Sequence, residues 1–144
     1  MIFDPESPVN RCCAEGQTHE GRGDLPAAQA GYRQAWNIAQ TDLEKLTAAH
    51  YVARTMGDIS EKLDWDLLAL HIALRNPDGS LDALLPSLYL NTGKGHEDLQ
   101  AFEPAGEHYQ LALKYAPLLP DDGYGRMIRS GILAGLDRLR KHCL

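Results

Sequence analysis

At 144 residues the chain is long enough to bury a core without disulfide or metal staples, so one domain over residues 1–144 is expected. A hydrophobic share of 44% and a charged share of 24% fit a soluble globular protein, and a formal net charge of −6 excludes the broad basic surface that nucleic-acid binding needs. No apolar run approaches the ~18 residues of a membrane span, and the opening "MIFDPESPVNR" lacks the basic-then-apolar order of a signal peptide.

In chain order the sequence reads as helices. Valine occurs only at Val9 and Val52, and no β-branched or aromatic run alternates with polar residues. Breaks fall at "GRGDLP", "MGD", "NPDGS" and "LLPDDGYG". A first helix is expected from Ser7-Pro8, an N-cap followed by a proline at the first helical position, to about Gly21. A second covers about Pro26 to Gln40, a third Asp42 to Met56, and a fourth Glu61 to Arg75. Asp78 or Ser80 is placed to cap a fifth that reaches about Leu99, and a sixth runs from about Glu103 to Ala116. The seventh, about Tyr124 to His142, carries an apolar stripe at Ile128, Ile132, Leu136, Leu139 and Cys143 with a polar reverse face. Arg126, Arg129, Arg138, Arg140 and Lys141 gather there, and a helix C-terminus accounts for the last three without an anionic partner. Cys12, Cys13 and Cys143 are odd in number and form no CxxC, which indicates reduced, buried thiols and a cytoplasmic location.

Two stretches of this helical chain repeat. Residues 14–39, "AEGQTHEGRGDLPAAQAGYRQAWNIA", align without a gap to residues 91–116, "NTGKGHEDLQAFEPAGEHYQLALKYA". Gly16 falls on Gly93, His19 on His96, Glu20 on Glu97, Ala28 on Ala105, Tyr32 on Tyr109, Ala35 on Ala112 and Ala39 on Ala116. Small residues recur where two helices would cross closely, and tyrosine recurs where the crossing needs a filler.

These residues resemble the tetratricopeptide repeat family. Its pattern is matched by Gly93, Phe102, Ala105, Tyr109, Ala112 and Pro117 in one copy, and by Gly16, Gly23-Asp24, Leu25, Ala28, Tyr32 and Ala35 in the other. Between them, Gly57-Asp58 keeps the family spacing, but the second-helix pattern fits best as Asp66, Leu70 and Ala73, as though about four residues were inserted at "ISEK". The resemblance implies an all-α, right-handed α-solenoid of about three helix pairs, at about 9–42, 43–77 and 86–119, with a capping helix at about 124–142.

"LNTGKGHEDLQ" invites two sharper readings, and both fail on spacing. A phosphate-binding loop needs a glycine where Leu88 stands and a hydroxyl where Gly95 stands. A helical HExxH needs a second histidine where Gln100 follows His96, and Gly23 stands at that place after His19. A gathering of His19, His50, His71 and His96 is not expected, because a repeat spaces its copies apart. No GxSxG elbow surrounds any serine, and Asp64 and Asp66 beside Trp65 read as a solvated helix face. Neither an enzyme nor a cofactor is expected.

By the resemblance, first helices line a groove for a peptide or partner helix. The register assigns to it Asn10, Cys13, Gln17 and Glu20; then Glu44, Thr47, Tyr51 and Arg54; then Ser87, Leu90, Asn91, Lys94, Glu97 and Asp98. The lysine, asparagine and arginine set with which one subset of the family clamps acidic chaperone tails is missing, since Cys13, Gln17, Ala48, Ser87 and Asn91 stand there. The mixed charge suits a neutral or mildly basic segment better. The expected function is a protein–protein interaction scaffold or adaptor, with a small-ligand or peptide sensor as the alternative and a metal-dependent enzyme behind both. No nucleic acid or membrane is expected as a partner, while a homodimer is compatible with so short a repeat array. Trp36, Trp65, Tyr115 and Tyr124, read as exposed, are the rival interaction anchors, although core packing is the expected role of Trp36.

Overall fold

The computed structural model describes residues 4–142, and over them the chain is all-helical with no strand. The helices are α1 (Pro8–Gly21), α2 (Leu25–Ile38), α3 (Asp42–Arg54), α4 (Ile59–Leu74), α5 (Leu85–Asp98), α6 (Phe102–Tyr115) and α7 (Gly123–His142). Short 3-10 turns occur at Asp82–Leu84 and Ala116–Leu118. Among the described residues no helix is long and apolar enough to cross a membrane. Two compact units divide the chain: unit 1, Met1–Arg75, holds α1 to α4, and unit 2, Asn76–Leu144, holds α5 to α7. Cys143, expected at the end of the α7 stripe, lies outside the described residues.

Local chemistry sets the helix starts. Pro8 opens α1, where a missing N–H costs nothing. Asp24 Oδ1 accepts the Ala27 N–H at 3.1 Å and caps α2, and Asp58 does the same for Glu61 at 2.9 Å on α4. At α3 the box is reciprocal: Thr41 Oγ1 accepts from the Glu44 N–H, and Glu44 Oε1 accepts from the Thr41 N–H, both at 3.1 Å. The fifth helix departs from expectation. Asp78 Oδ1 is used within a tight turn, accepting from the Ser80 N–H at 2.9 Å beside Gly79 at φ 70°, so neither Asp78 nor Ser80 starts a helix. The α-helix begins only at Leu85, with Pro86 in its first turn.

In unit 1, α1 pairs with α2 and α3 with α4, and α2 also packs on α3. Ala28, Tyr32 and Ala35 are wholly buried on α2, and a Cβ at Gly16 would run into the Tyr32 ring. Partners along α1 and α3 advance together, from Ser7 with Glu44, through Gln17 with Tyr51, to Glu20 with Arg54. The two helices therefore lie side by side and run in the same direction. Asp66, Leu70 and Ala73 are all buried on α4. This corrects the reading of Asp66 as part of a solvated face: Asp64 is exposed, but Asp66 is only 2% exposed. Its charge is tolerated because Lys62, one turn earlier, donates to it at 2.8 Å.

In unit 2, α5 pairs with α6, and α7 packs on both. Ala105, Tyr109 and Ala112 repeat the buried set of α2. A Cβ at Gly93 would stand 2.8 Å from the Tyr109 ring, and one at Gly135 of α7 would stand 2.5 Å from it, so the ring is gripped by glycines on two helices. The α7 stripe buries Ile128, Ile132 and Leu139, with Leu136 half-buried.

The aromatic anchors also need correcting. Trp36 and Trp65 are half-buried and pack edge to face at 5.3 Å against the unit 1 core. Tyr115 is half-buried and stacks on Tyr89 at 6.1 Å, which leaves Tyr124 as the exposed member of the four. Rings of this size gain more from pairing than from water.

Candidate functional site

Side by side, α1 and α3 leave a cleft of about 270 Å³ within unit 1. Asp4, Ser7 and Asn10 line one end together with Thr41 and Glu44. Leu43 lines the same end, Cys13 and Thr47 line the middle, and Gln17 and Tyr51 line the far end. The near end is built by hydrogen bonds. Glu44 accepts from the Ser7 hydroxyl at 3.0 Å and from the Gln40 and Thr41 N–H groups at 3.1 Å, while Asn10 Nδ2 donates to the Asp4 carbonyl at 2.7 Å. At the far end Gln17 Nε2 donates to the Tyr51 hydroxyl at 3.1 Å, and the Tyr51 ring stacks on Tyr32 at 5.1 Å.

One turn further, Glu20 joins three helices. It accepts from the Tyr32 hydroxyl at 2.8 Å and from Arg54 at 2.6 Å, and the Arg54 guanidinium also lies over the Tyr51 ring at 5.6 Å. The Tyr32 hydroxyl bond, with Arg54 behind it, holds the Glu20 carboxyl below its ordinary value. The Thr41 amide does the same for Glu44, reinforced by Gln40 and Ser7. Burial pushes the Cys13 thiol up to about 12, so the sulfur facing the cleft stays protonated and inert. Among the described residues the lining thus contains two carboxylates, several neutral hydrogen-bonding groups and no lysine, arginine or histidine.

The structure gathers Asn10, Cys13, Gln17, Glu44, Thr47 and Tyr51 from the expected groove set, and sets Glu20 and Arg54 beyond the far end. The set expected on α5 meets a different neighbour. There α7 runs parallel to α5: a Cβ at Gly131 would stand 3.0 Å from Leu90, and Arg138 donates twice to Glu97, at 2.8 and 3.0 Å. Glu97 also accepts from the Tyr109 hydroxyl at 2.6 Å, so its carboxylate is committed to the fold. Lys94 pairs with Asp98 one turn on, Ser87 Oγ donates to the Leu84 carbonyl at 3.1 Å, and Asn91 is half-buried. Asp4, Ser7, Thr41 and Leu43 were not foreseen in the cleft, because counting groove positions along helices passes over the chain before α1 and the start of α3. The capping-box spelling "TDLE" was the one signal that could have placed Thr41 beside Glu44.

Among the described residues no group of three or more His, Cys, Asp or Glu side chains is placed to hold a metal ion. His96 instead packs edge-on to His108 at 4.9 Å, and His108 Nδ1 lies 2.6 Å from the Thr92 hydroxyl. Compared with protein-family models and with curated proteins, the chain matches none.

Proposed function

We propose that the chain is a protein-interaction adaptor built of tetratricopeptide-like helix pairs, which takes an extended segment of a partner protein in the unit 1 cleft. The observation that carries this reading is the open seam between the parallel helices α1 and α3, lined by side chains that can donate to or accept from a peptide backbone. Seven residues separate Glu44 from Tyr51, so the seam is about 10 Å long at 1.5 Å per helical residue and spans about three residues of extended chain. A volume of about 270 Å³ falls just below the ~300–1,000 Å³ that small-molecule sites occupy, which favours a short segment over a bulky cofactor. Free thiols at Cys12 and Cys13 support a reducing, cytoplasmic setting.

The test is selection of phage-displayed random peptides on the wild-type protein, with counter-selection on Thr47→Phe, whose ring fills the middle of the cleft. Peptides that bind the wild type about tenfold tighter than a folded Thr47→Phe protein are the expected result. If no peptide distinguishes the two while a metabolite panel raises the wild-type melting temperature, the sensor reading replaces the adaptor.

A further inference from the structure

The charge of the cleft narrows what its occupant must be, given the adaptor reading. We propose that the segment held there carries a lysine or arginine side chain whose cation comes to the Asp4 and Glu44 end. Those two carboxylates are the charged groups of the lining among the described residues. The nearest guanidinium, Arg54, lies outside the lining and is committed to Glu20 and the Tyr51 ring.

Glu44 is fixed in place by the Ser7 hydroxyl and by two backbone amides, and three bonds leave part of a carboxylate's acceptor capacity unused. At Asp4, Oδ1 accepts from the Glu6 N–H at 2.9 Å, and among the described residues Oδ2 accepts no bond. Leu43, next to Glu44 in the lining, gives the aliphatic stem of a long basic side chain an apolar surface to lie on. A preorganised carboxylate facing a partly desolvated cleft favours a cation and repels an acidic segment.

Unit 2 shows that this charge is not demanded by the helix packing. Glu97–Arg138 and Glu20–Arg54 are equivalent pairs, and counting back from the two arginines aligns Ile128 with Glu44, Gly131 with Thr47 and Gly135 with Tyr51. Ile128 is buried and uncharged, and α7 still packs along its neighbour. The acidic end belongs to the open cleft alone.

The test uses the full chain and fluorescein-labelled peptides recovered from the phage selection, each resynthesised with its Lys or Arg changed in turn to norleucine. They are titrated against the wild type and against Asp4→Asn/Glu44→Gln, whose amide oxygens keep the turn and capping bonds. Circular dichroism confirms that the variant folds. Enrichment of Lys or Arg in the selected peptides is expected, with a loss of about tenfold on norleucine substitution in the wild type and no such loss in the variant. Wild-type affinity should also fall with added NaCl, and the variant's should not. Selected peptides that bind both proteins alike overturn the cation and leave the adaptor reading standing. If no peptide distinguishes the wild type from Thr47→Phe, both readings fall.

Discussion

Unit 1 and unit 2 use one motif to opposite ends. In each, a tyrosine fills the space beside a glycine of the preceding helix, donates to a glutamate one turn on, and is joined there by an arginine from a third helix. In unit 1 the third helix, α3, brings Glu44, Thr47 and Tyr51 to the seam and leaves it open. In unit 2 the third helix, α7, brings Ile128, Gly131 and Gly135, and the seam closes on Leu90 and the Tyr109 ring. The arginine clamp sets the register of the third helix, and the residues one, two and three turns before it decide whether a site exists.

The largest way to break the comparison is Tyr109→Ala, which should cost about 3–5 kcal/mol in urea unfolding, since Gly93 and Gly135 offer no side chain to refill the space. Tyr32→Ala should cost less, because the Tyr51 ring stacked 5.1 Å away can move in. Equal costs would show that the two seams relax alike.

The turns sharpen the contrast. Gly23 at φ 78° precedes the cap Asp24, while Gln100 at φ 61° precedes Ala101, which gives no side-chain bond. The backbone bonds match closely, with Asp24 N–H to the His19 carbonyl and Ala101 N–H to the His96 carbonyl both at 2.9 Å. Gln100→Gly with Ala101→Asp should therefore stabilise unit 2 by about 1–2 kcal/mol, through relief of the left-handed backbone and a new cap. An unchanged unfolding midpoint would mean that the turn is not strained.

The smallest expected effect is on pH dependence. Burial lowers the His96 and His108 values from the ordinary value of about 6.5. The unfolded chain then binds more protons than the folded one, so this part of the stability is intact above about pH 6.5 and declines as the pH falls below it. His108→Leu should flatten that acid limb in denaturation series. The slope that remains belongs in part to His50 of unit 1, which is lowered by burial and partly restored by Asp66. An identical limb in the variant would remove His108 from the account.

Much of this was legible because it is spelled twice. Gly16 and Gly93, Tyr32 and Tyr109, and Glu20 and Glu97 share one spacing, and the register built on them placed Asn10, Gln17, Thr47 and Tyr51 on the seam. That the last helix caps the last pair was expected, but its register along the groove side of α5 was hidden, because α7 shares little with α3 beyond the arginine. For Asp66 two readings of the sequence disagreed: the register with Leu70 and Ala73 put it at a buried position and its charge read as solvated, and what reconciles them is Lys62 reaching over it from the preceding turn. The late start of α5 turned on whether Asp78 caps a helix or closes a turn, and both use the same side-chain oxygen.

The edge-to-face pair of Trp36 and Trp65 has a spectroscopic consequence. The chain has two tryptophans, and both sit in unit 1 against its core, whereas the backbone helices are spread over both units. Indole emission excited at the red edge therefore reports on unit 1 alone, while far-ultraviolet ellipticity sums the whole chain. Recorded on one sample during a single denaturant titration, the two signals coincide if the chain unfolds in one step and separate if each unit has its own transition.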